Sequence, residues 1–307
     1  MQGEQMKGTV VVIGSFDGVH RGHQAIFQAA RSAADATGRK CVCLTFHPHP
    51  KTIVNPSAAP RLLTLPEEKE HLARMWGVDD VITMTFDHAL AETPAEEFAE
   101  HVLAGQFPAR HIVIGHDFGF GSGRRGDGMF LAKWGRPRGI TVTVVEAITE
   151  GGEPVSSSRI RRTVNEGRFD EALALLGHDY PIFGRVTTGE GRGHELGYPT
   201  LNITTAAEKL LPPIGIYAAR AEVDGHVYGG MAYIGTKPTF GQYPLGVELH
   251  VFDFPGGALI PPVRTWFTHW VRPDQRFDSP GALKEQLARD EAYVRGLLKQ
   301  YSGSKVQ

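Results

Sequence analysis

The run Thr9-Val10-Val11-Val12-Ile13 constrains the fold more than any other stretch of the chain. Five consecutive β-branched side chains favour a strand, and a strand sends its side chains alternately to two faces. Here both faces are apolar, so both need a cover. Helices packed on each side of a parallel sheet provide one. The segments that follow have that rhythm. Gly22 to Thr37 reads as a helix with Ile26, Ala29, Ala30 and Ala33 on one face and Gly38 as its stop. Lys40 to Phe46 is a second strand, Leu65 to Trp76 a second helix closing at Gly77, and Val81 to Phe86 a third strand. Thr93-Pro94-Ala95-Glu96 predicts a helix start, with Thr93 as N-cap, Pro94 in the first turn and Glu96 completing a capping box. His111 to Ile114 and Ile140 to Val145 add two strands. The expected fold is a parallel, Rossmann-like α/β domain.

Near residue 180 the rhythm changes. Ser158 to Val164 and Phe169 to Leu176 read as short helices, and strands and turns follow. Tyr217, Ala219, Ala221 and Val223 alternate to one side of a strand. Asp224-Gly225 is a hairpin signal, with Val227 to Ile234 as the return strand. Val247 to Asp253 and Val263 to Val271 alternate as well, and Pro280 to Tyr301 reads as a final helix. The second half therefore predicts a small antiparallel barrel or sandwich closed by one helix. A length of 307 residues suits two domains. The expected boundary puts 1–182 in the first and 183–307 in the second.

A chain with 41% hydrophobic and 21% charged residues folds around cores. Its net charge of −2 does not suit a nucleic-acid or anionic-membrane binder. The two cysteines, Cys41 and Cys43, lie on an apolar strand and face one way. They read as reduced, buried thiols, since a metal site needs more ligands. There is no signal-peptide pattern and no apolar run of about 18 residues. A cytoplasmic protein, monomeric or weakly self-associating, is expected.

The loop Gly14-Ser15-Phe16-Asp17-Gly18-Val19-His20-Arg21-Gly22-His23 joins the first strand to the first helix. Ligands of open α/β sheets sit at the carboxyl ends of strands, and this loop is at one. Its glycines allow backbone to approach phosphates, and the helix start offers free N–H groups and partial positive charge. His20 and His23 are three residues apart, so both imidazoles can face one point before the helix. No Gly-x-x-x-x-Gly-Lys-Ser/Thr is present, so this is not an ordinary P-loop. A glycine-rich turn with two surface histidines would have the same composition.

His20-Arg21-Gly22-His23 resembles the His-x-Gly-His signature of nucleotidyltransferases, which join ATP or CTP to a phosphate or carboxylate and release pyrophosphate. The longer stretch from Gly14 resembles one branch, the bacterial bifunctional riboflavin kinase/FMN adenylyltransferases, or FAD synthetases. Thr45-Phe46-His47-Pro48-His49-Pro50, Gly115-His116-Asp117-Phe118-Gly119-Phe120-Gly121 with Gly126-Asp127, and Ser156-Ser157-Ser158-Arg159-Ile160-Arg161 resemble that family's later motifs in order. The resemblance implies that His20, His23 and Arg161 stabilise charge in adenylyl transfer. It implies that Gly14, Phe16, Asp17, Gly18, Gly22, His47, Pro48, His49, Asp117, Phe118, Phe120, Ser157 and Ser158 hold the substrates. Alone, these motifs could also be a proline-rich loop, core phenylalanines and a helix cap.

In the second half, Gly189, Gly191 and Gly193 lead to Leu196-Gly197-Tyr198-Pro199-Thr200-Leu201-Asn202, and Glu248-Leu249-His250-Val251-Phe252-Asp253 follows. These stretches resemble the family's riboflavin kinase module, a six-stranded barrel. The resemblance implies that Thr200 and Asn202 hold Mg²⁺ and ATP phosphates, that Gly189 and Gly193 bind nucleotide, that Glu248 is the general base for the riboflavin 5′-hydroxyl, and that Arg272 belongs to a segment covering the flavin. Gly215-Ile216-Tyr217 and Ile234 to Phe240 also resemble family segments. The chain departs from the family at His194, Tyr233 and Leu201, and Pro255-Gly256-Gly257-Ala258 replaces an Asp-Leu-Tyr-Gly. The implied activity is riboflavin to FMN to FAD, with ATP spent at both steps and Mg²⁺ present. Two alternatives stay open. One is nucleotidyl transfer to another phosphate, with a kinase that is weakened or lost. The other is a flavin- or ATP-binding regulator without turnover.

Overall fold

The computed structural model describes residues 8–187, 197–223, 225–236, 245–255 and 263–300. They fall into two compact units, Met1–Leu62 with Lys69–Ser157, and Leu63–Glu68 with Ser158–Gln307. Gly189, Gly193, His194, Asp224, Lys237 to Phe240 and Gly256 to Ala258 lie outside the described residues.

The first unit is built on five parallel strands: β1 (Thr9–Ile13), β2 (Lys40–His47), β3 (Asp80–Thr85), β4 (Ala109–Gly115) and β5 (Thr141–Val145), in the order β3-β2-β1-β4-β5. Both faces of β1 are covered, as its composition requires. Val11 and Ile13 join Leu44, Ile112, Phe98, Leu131 and Trp134 on one side. Val10 and Val12 join Cys41, Cys43, Phe27, Ala30 and Leu72 on the other. Both cysteines are free and buried, and burial pushes the Cys41 thiol up to about 11. Helix α1 (Arg21–Thr37) stops where Gly38 takes a left-handed φ of 60°.

The helices α2 (Pro50–Val54), α3 (Pro66–Met75), α4 (His88–Glu92), α5 (Ala95–Phe98) and α6 (Gly128–Gly135) follow in order, with a two-strand hairpin, β6 (Thr149–Glu150) and β7 (Glu153–Pro154). The predicted capping box at Thr93 is not formed. The Thr93 hydroxyl donates to the Ala89 carbonyl at 2.9 Å and so ends α4. Pro94 occupies the N-cap of α5 without a side-chain bond. A hydroxyl committed to the helix behind it is not available to the helix ahead. Beyond Phe98 the coil widens into a π-helix over Ala99–Gln106.

In the second unit, helix α7 (Ser157–Asn165), whose first residue still belongs to the first unit, and α8 (Phe169–Leu176) precede a closed barrel. Its strands are β8 (Tyr180–Thr187), β9 (Leu201–Thr204), β10 (Gly215–Val223), β11 (His226–Thr236), β12 (Leu245–Val251) and β13 (Val263–Pro273), ordered β10-β11-β12-β9-β8-β13. Tyr217, Ala219, Ala221 and Val223 are buried as the alternation predicts. Ile216 and Ala218, on the opposite face, are buried too, because helix α9 (Pro280–Gln300) packs there through Val294 and Leu287. One fully buried ion pair serves this unit. Lys209 Nζ donates to Glu68 Oε2 at 2.6 Å and to the Leu63 carbonyl at 2.6 Å. Glu68 Oε1 accepts from Phe183 N at 2.9 Å, and the Tyr180 ring lies 4.5 Å from the ammonium. Nearly every lone pair and proton of the pair is engaged, which is what a buried pair requires.

Candidate active site

The loop between β1 and α1 is held by local hydrogen bonds. Gly14 N donates to the Leu44 carbonyl at 3.1 Å, Val19 N to the Phe16 carbonyl at 3.2 Å and Gln24 Nε2 to the Val19 carbonyl at 2.8 Å. Phe16 and Val19 adopt left-handed φ of 46° and 42°. A β-branched residue there stores strain of order 1–3 kcal/mol, as functional turns often do. The result is a tight bend that delivers His20 to the N-cap of α1.

From that position the two imidazoles meet. The rings of His20 and His23 stack at 3.6 Å between centroids, with 20° between their planes. Phe16 meets the His23 ring edge-on at 5.2 Å. Gly22 leaves the space that this stack needs, since a Cβ there would lie 3.2 Å from the His20 ring. The spacing of three residues thus brings the two rings into contact. Burial, then the charges of His20 and Lys69, hold His23 well below the usual histidine range. Its Nδ1 is buried with no hydrogen-bond partner among the described residues. Such a nitrogen awaits a ligand or a proton.

Beside the stack opens a cavity of about 570 Å³, of a size suited to a cofactor or nucleotide. Its walls come from the carboxyl ends of the strands: Ile13 to Asp17 after β1, Phe46 in β2, Phe86 after β3, and Gly115 with Asp117 to Gly121 after β4. Because β1 lies between β2 and β4, the crevice sits where the strand order reverses. His23, Gly14, Phe16, Asp17, Asp117, Phe118, Phe120 and Ser157 all line it. Ser157 Oγ donates to the Asp17 carbonyl at 2.8 Å, fastening the two walls. Phe118 and Phe120 stack at 5.6 Å and Phe120 packs on Phe98, so they are at once core and cavity wall.

Other expected residues are not among those that line the cavity. Gly18 and Gly22 shape the bend without lining the cavity, and His20 stands behind His23. His47, Pro48 and His49 are not on the wall. His49 Nδ1 instead accepts from Lys51 N at 3.2 Å and starts α2, which contributes Pro50, Lys51 and Val54. Ser158 and Arg161 belong to α7 in the second unit. Sequence reasoning missed Lys51, Asn55 and Arg124, which line the cavity. Arg124, at a φ of 55°, donates from Nη2 to the Asp117 carbonyl at 2.9 Å. Its one signal was its place within the glycine-rich segment after β4.

In the barrel, Tyr233, Glu248 and Asn202 form one rung across β11, β12 and β9. Directly opposed residues present their side chains to the same face. The expected base therefore shares a face with Asn202, which is 7% exposed. Thr200 precedes β9 and is half-buried. Burial, then the Asp274 and Glu248 carboxylates, push the Tyr233 phenol up. Leu201 pairs with Leu249 in the next rung. Arg272 forks onto Asp290 of α9, with Nε–Oδ2 at 2.9 Å and Nη2–Oδ2 at 2.7 Å, so its guanidinium pins that helix to the barrel.

Comparison with known proteins agrees with both halves. A family model described as FAD synthetase matches residues 2–159, and one described as riboflavin kinase matches 176–298. A bifunctional riboflavin kinase/FMN adenylyltransferase from Pseudomonas fluorescens is 35% identical over 292 residues, covering 95% of this chain and 93% of that protein. The Escherichia coli K12 protein of the same description is 33% identical over 290 residues, with 94% and 92% covered. A Streptococcus pneumoniae crystal structure titled macrolide-efflux protein superposes with a TM-score of 0.82 at 30% identity, covering 94% of each chain. Among the described residues here, no helix is long and apolar enough to cross a membrane. With two family models matched in order and relatives aligned almost end to end, the chain belongs to the bifunctional riboflavin kinase/FMN adenylyltransferase family.

Proposed function

We propose that the barrel unit converts riboflavin and ATP to FMN and ADP, and that the α/β unit converts FMN and ATP to FAD and pyrophosphate. The observation that supports this most directly is the stacked His20–His23 pair at the mouth of α1, beside a cavity at the strand-order reversal. In the adenylyl step an FMN phosphate oxygen bonds to the α-phosphorus of ATP, and the bond to the bridging oxygen breaks. The nucleophile is already an anion, so no protein base is required. Catalysis rests on position and charge. The α1 amides and His23 face the phosphates, with His20 stacked behind His23. His23, neutral in the free protein, gains a proton or tightens a donated hydrogen bond as negative charge arrives.

In the kinase step Glu248 takes the proton from the riboflavin 5′-hydroxyl, whose oxygen bonds to the γ-phosphorus as the bond to ADP breaks. The donors expected to hold Mg²⁺, the Thr200 hydroxyl and the Asn202 amide oxygen, are hard oxygens, and Asn202 pairs directly with Glu248. They fit that cation, and among the described residues no group of three or more His, Cys, Asp or Glu competes with them. Bound there, Mg²⁺ would neutralise phosphate charge. We further place the boundary between the two catalytic modules at residues 182 and 183.

Incubation with riboflavin, ATP and Mg²⁺, followed by separation of riboflavin, FMN and FAD, tests the assignment. His23→Ala is expected to slow FAD formation by about 2.7–4 kcal/mol of barrier while FMN still forms. Glu248→Ala is expected to abolish FMN formation while supplied FMN is still adenylylated. If neither product appears with the unaltered chain, the proposed function is wrong.

A further inference from the structure

Lys69 in α3 is 7% exposed, and its Nζ donates to the Thr45 hydroxyl at 3.1 Å. Thr45, at the end of β2 and 1% exposed, donates in turn to the Ser15 carbonyl at 3.2 Å. The direction of this chain is set by chemistry. An ammonium has protons and no lone pair, so the Thr45 oxygen must accept from it. The hydroxyl proton is then committed to Ser15. Ser15 lies between Gly14 and the left-handed Phe16, on the wall of the cavity and in the bend that carries His20 and His23. Burying an ammonium is expensive, and the hydrogen bond to Thr45 recovers part of that cost.

We propose that Lys69 is a positioning residue for adenylyl transfer, acting through Thr45 and Ser15 to hold the phosphate-binding bend and adding buried positive charge beneath it. This deepens the proposed function of the same site and rests on it. Two consequences distinguish the role from simple packing. The first is geometric. Without the ammonium, the Thr45 hydroxyl is free to turn away from Ser15, and the bend loses a fixed point at the strained Phe16. The second is electrostatic. The charges that act on His23 are those of His20 from α1 and Lys69 from α3, and Asp17, Lys51, Asp117 and Arg124 line the same cavity. The Lys69 charge opposes protonation of His23 until phosphate arrives.

The experiment uses the full chain, with ATP and FMN as substrates for FAD formation. Riboflavin phosphorylation by the same preparation serves as the control for folding. Lys69→Met is expected to lower kcat by about 10²-fold, as small misplacements do, with KM for FMN little changed. The His23 ring, followed by NMR, is expected to titrate at higher pH in this variant than in the unaltered protein. Thr45→Val is expected to lower kcat in the same way, and Thr45→Ser, which keeps the hydroxyl, to restore it. If Lys69→Met does not fold, the two Thr45 variants decide. Unaltered chain that makes no FAD overturns the function assignment itself. Unaltered chain that makes FAD, with Lys69→Met or Thr45→Val equally fast, or with Thr45→Ser as slow as Thr45→Val, overturns the role of Lys69 alone.

Discussion

Gly22→Ala separates stability from activity at the His20–His23 stack. Gly22 is the second residue of α1 and its φ lies outside the left-handed region, so the backbone accepts alanine without strain. The substitution removes backbone freedom from the unfolded chain and raises helix propensity, together worth about 0.5–1 kcal/mol. The added methyl, however, lies 3.2 Å from Cε1 and Nδ1 of His20. Comfortable carbon contacts begin near 3.5 Å, so the ring must shift by a few tenths of an ångström. His23 stacks on that ring at 3.6 Å, so the displacement passes to the second imidazole. If misplacement by about 1 Å costs ~10²-fold, a third of that corresponds to roughly fivefold, or ~1 kcal/mol of barrier. The expected result is a melting temperature that does not fall, unchanged riboflavin phosphorylation, and FAD formation slowed by about fivefold. The assay is FMN adenylylation under saturating ATP, alongside calorimetry of the same sample. FAD formation at the original rate would refute the argument that ring placement limits the step. A lowered melting temperature would show that the methyl strains the fold instead.

Two further outcomes follow from buried groups. Lys209→Met leaves Glu68 without its ammonium in a fully buried site, and is expected to cost about 3–5 kcal/mol in a urea titration. A double change of Glu68 and Lys209 to apolar residues of similar volume should recover much of that loss, and no recovery would argue against uncompensated charge as the cause. For His23 the sign follows from a lowered folded pKa. Below pH ~6.5 the unfolded chain binds a proton that the folded one refuses, so stability falls on acidification from there down to the folded pKa. His23→Gln should remove up to about 1.4 kcal/mol per pH unit from that slope. Parallel stability curves for the two proteins between pH 6.5 and 5 would count against a buried neutral imidazole.

Much of the fold was legible because its signals are local. The doubly apolar run at Thr9–Ile13 demanded cover on two sides, and the structure supplies it. Glycine at position 38 stops α1 because a left-handed residue there carries no steric cost. A helix does start at Ala95, but Thr93 failed as its N-cap for an equally local reason. Two helices compete for its one hydroxyl, and composition does not say which wins. Ile216 and Ala218 look like the solvent face of an alternating strand, and only the placement of α9 buries them.

The sequence by itself determined the strand-then-bend-then-helix unit at residues 9–37, the change to a barrel, and the approach of His20 and His23 three residues apart. These depend on backbone geometry over a single turn. The tertiary structure alone decided that Lys51 and Arg124 join the cavity wall while His47 and Pro48 do not, that Arg272 is committed to Asp290, and that Lys69 reaches Ser15 through Thr45. Each of these joins residues distant in the chain, and spacing along a sequence carries no information on which side chains meet once separate elements have packed.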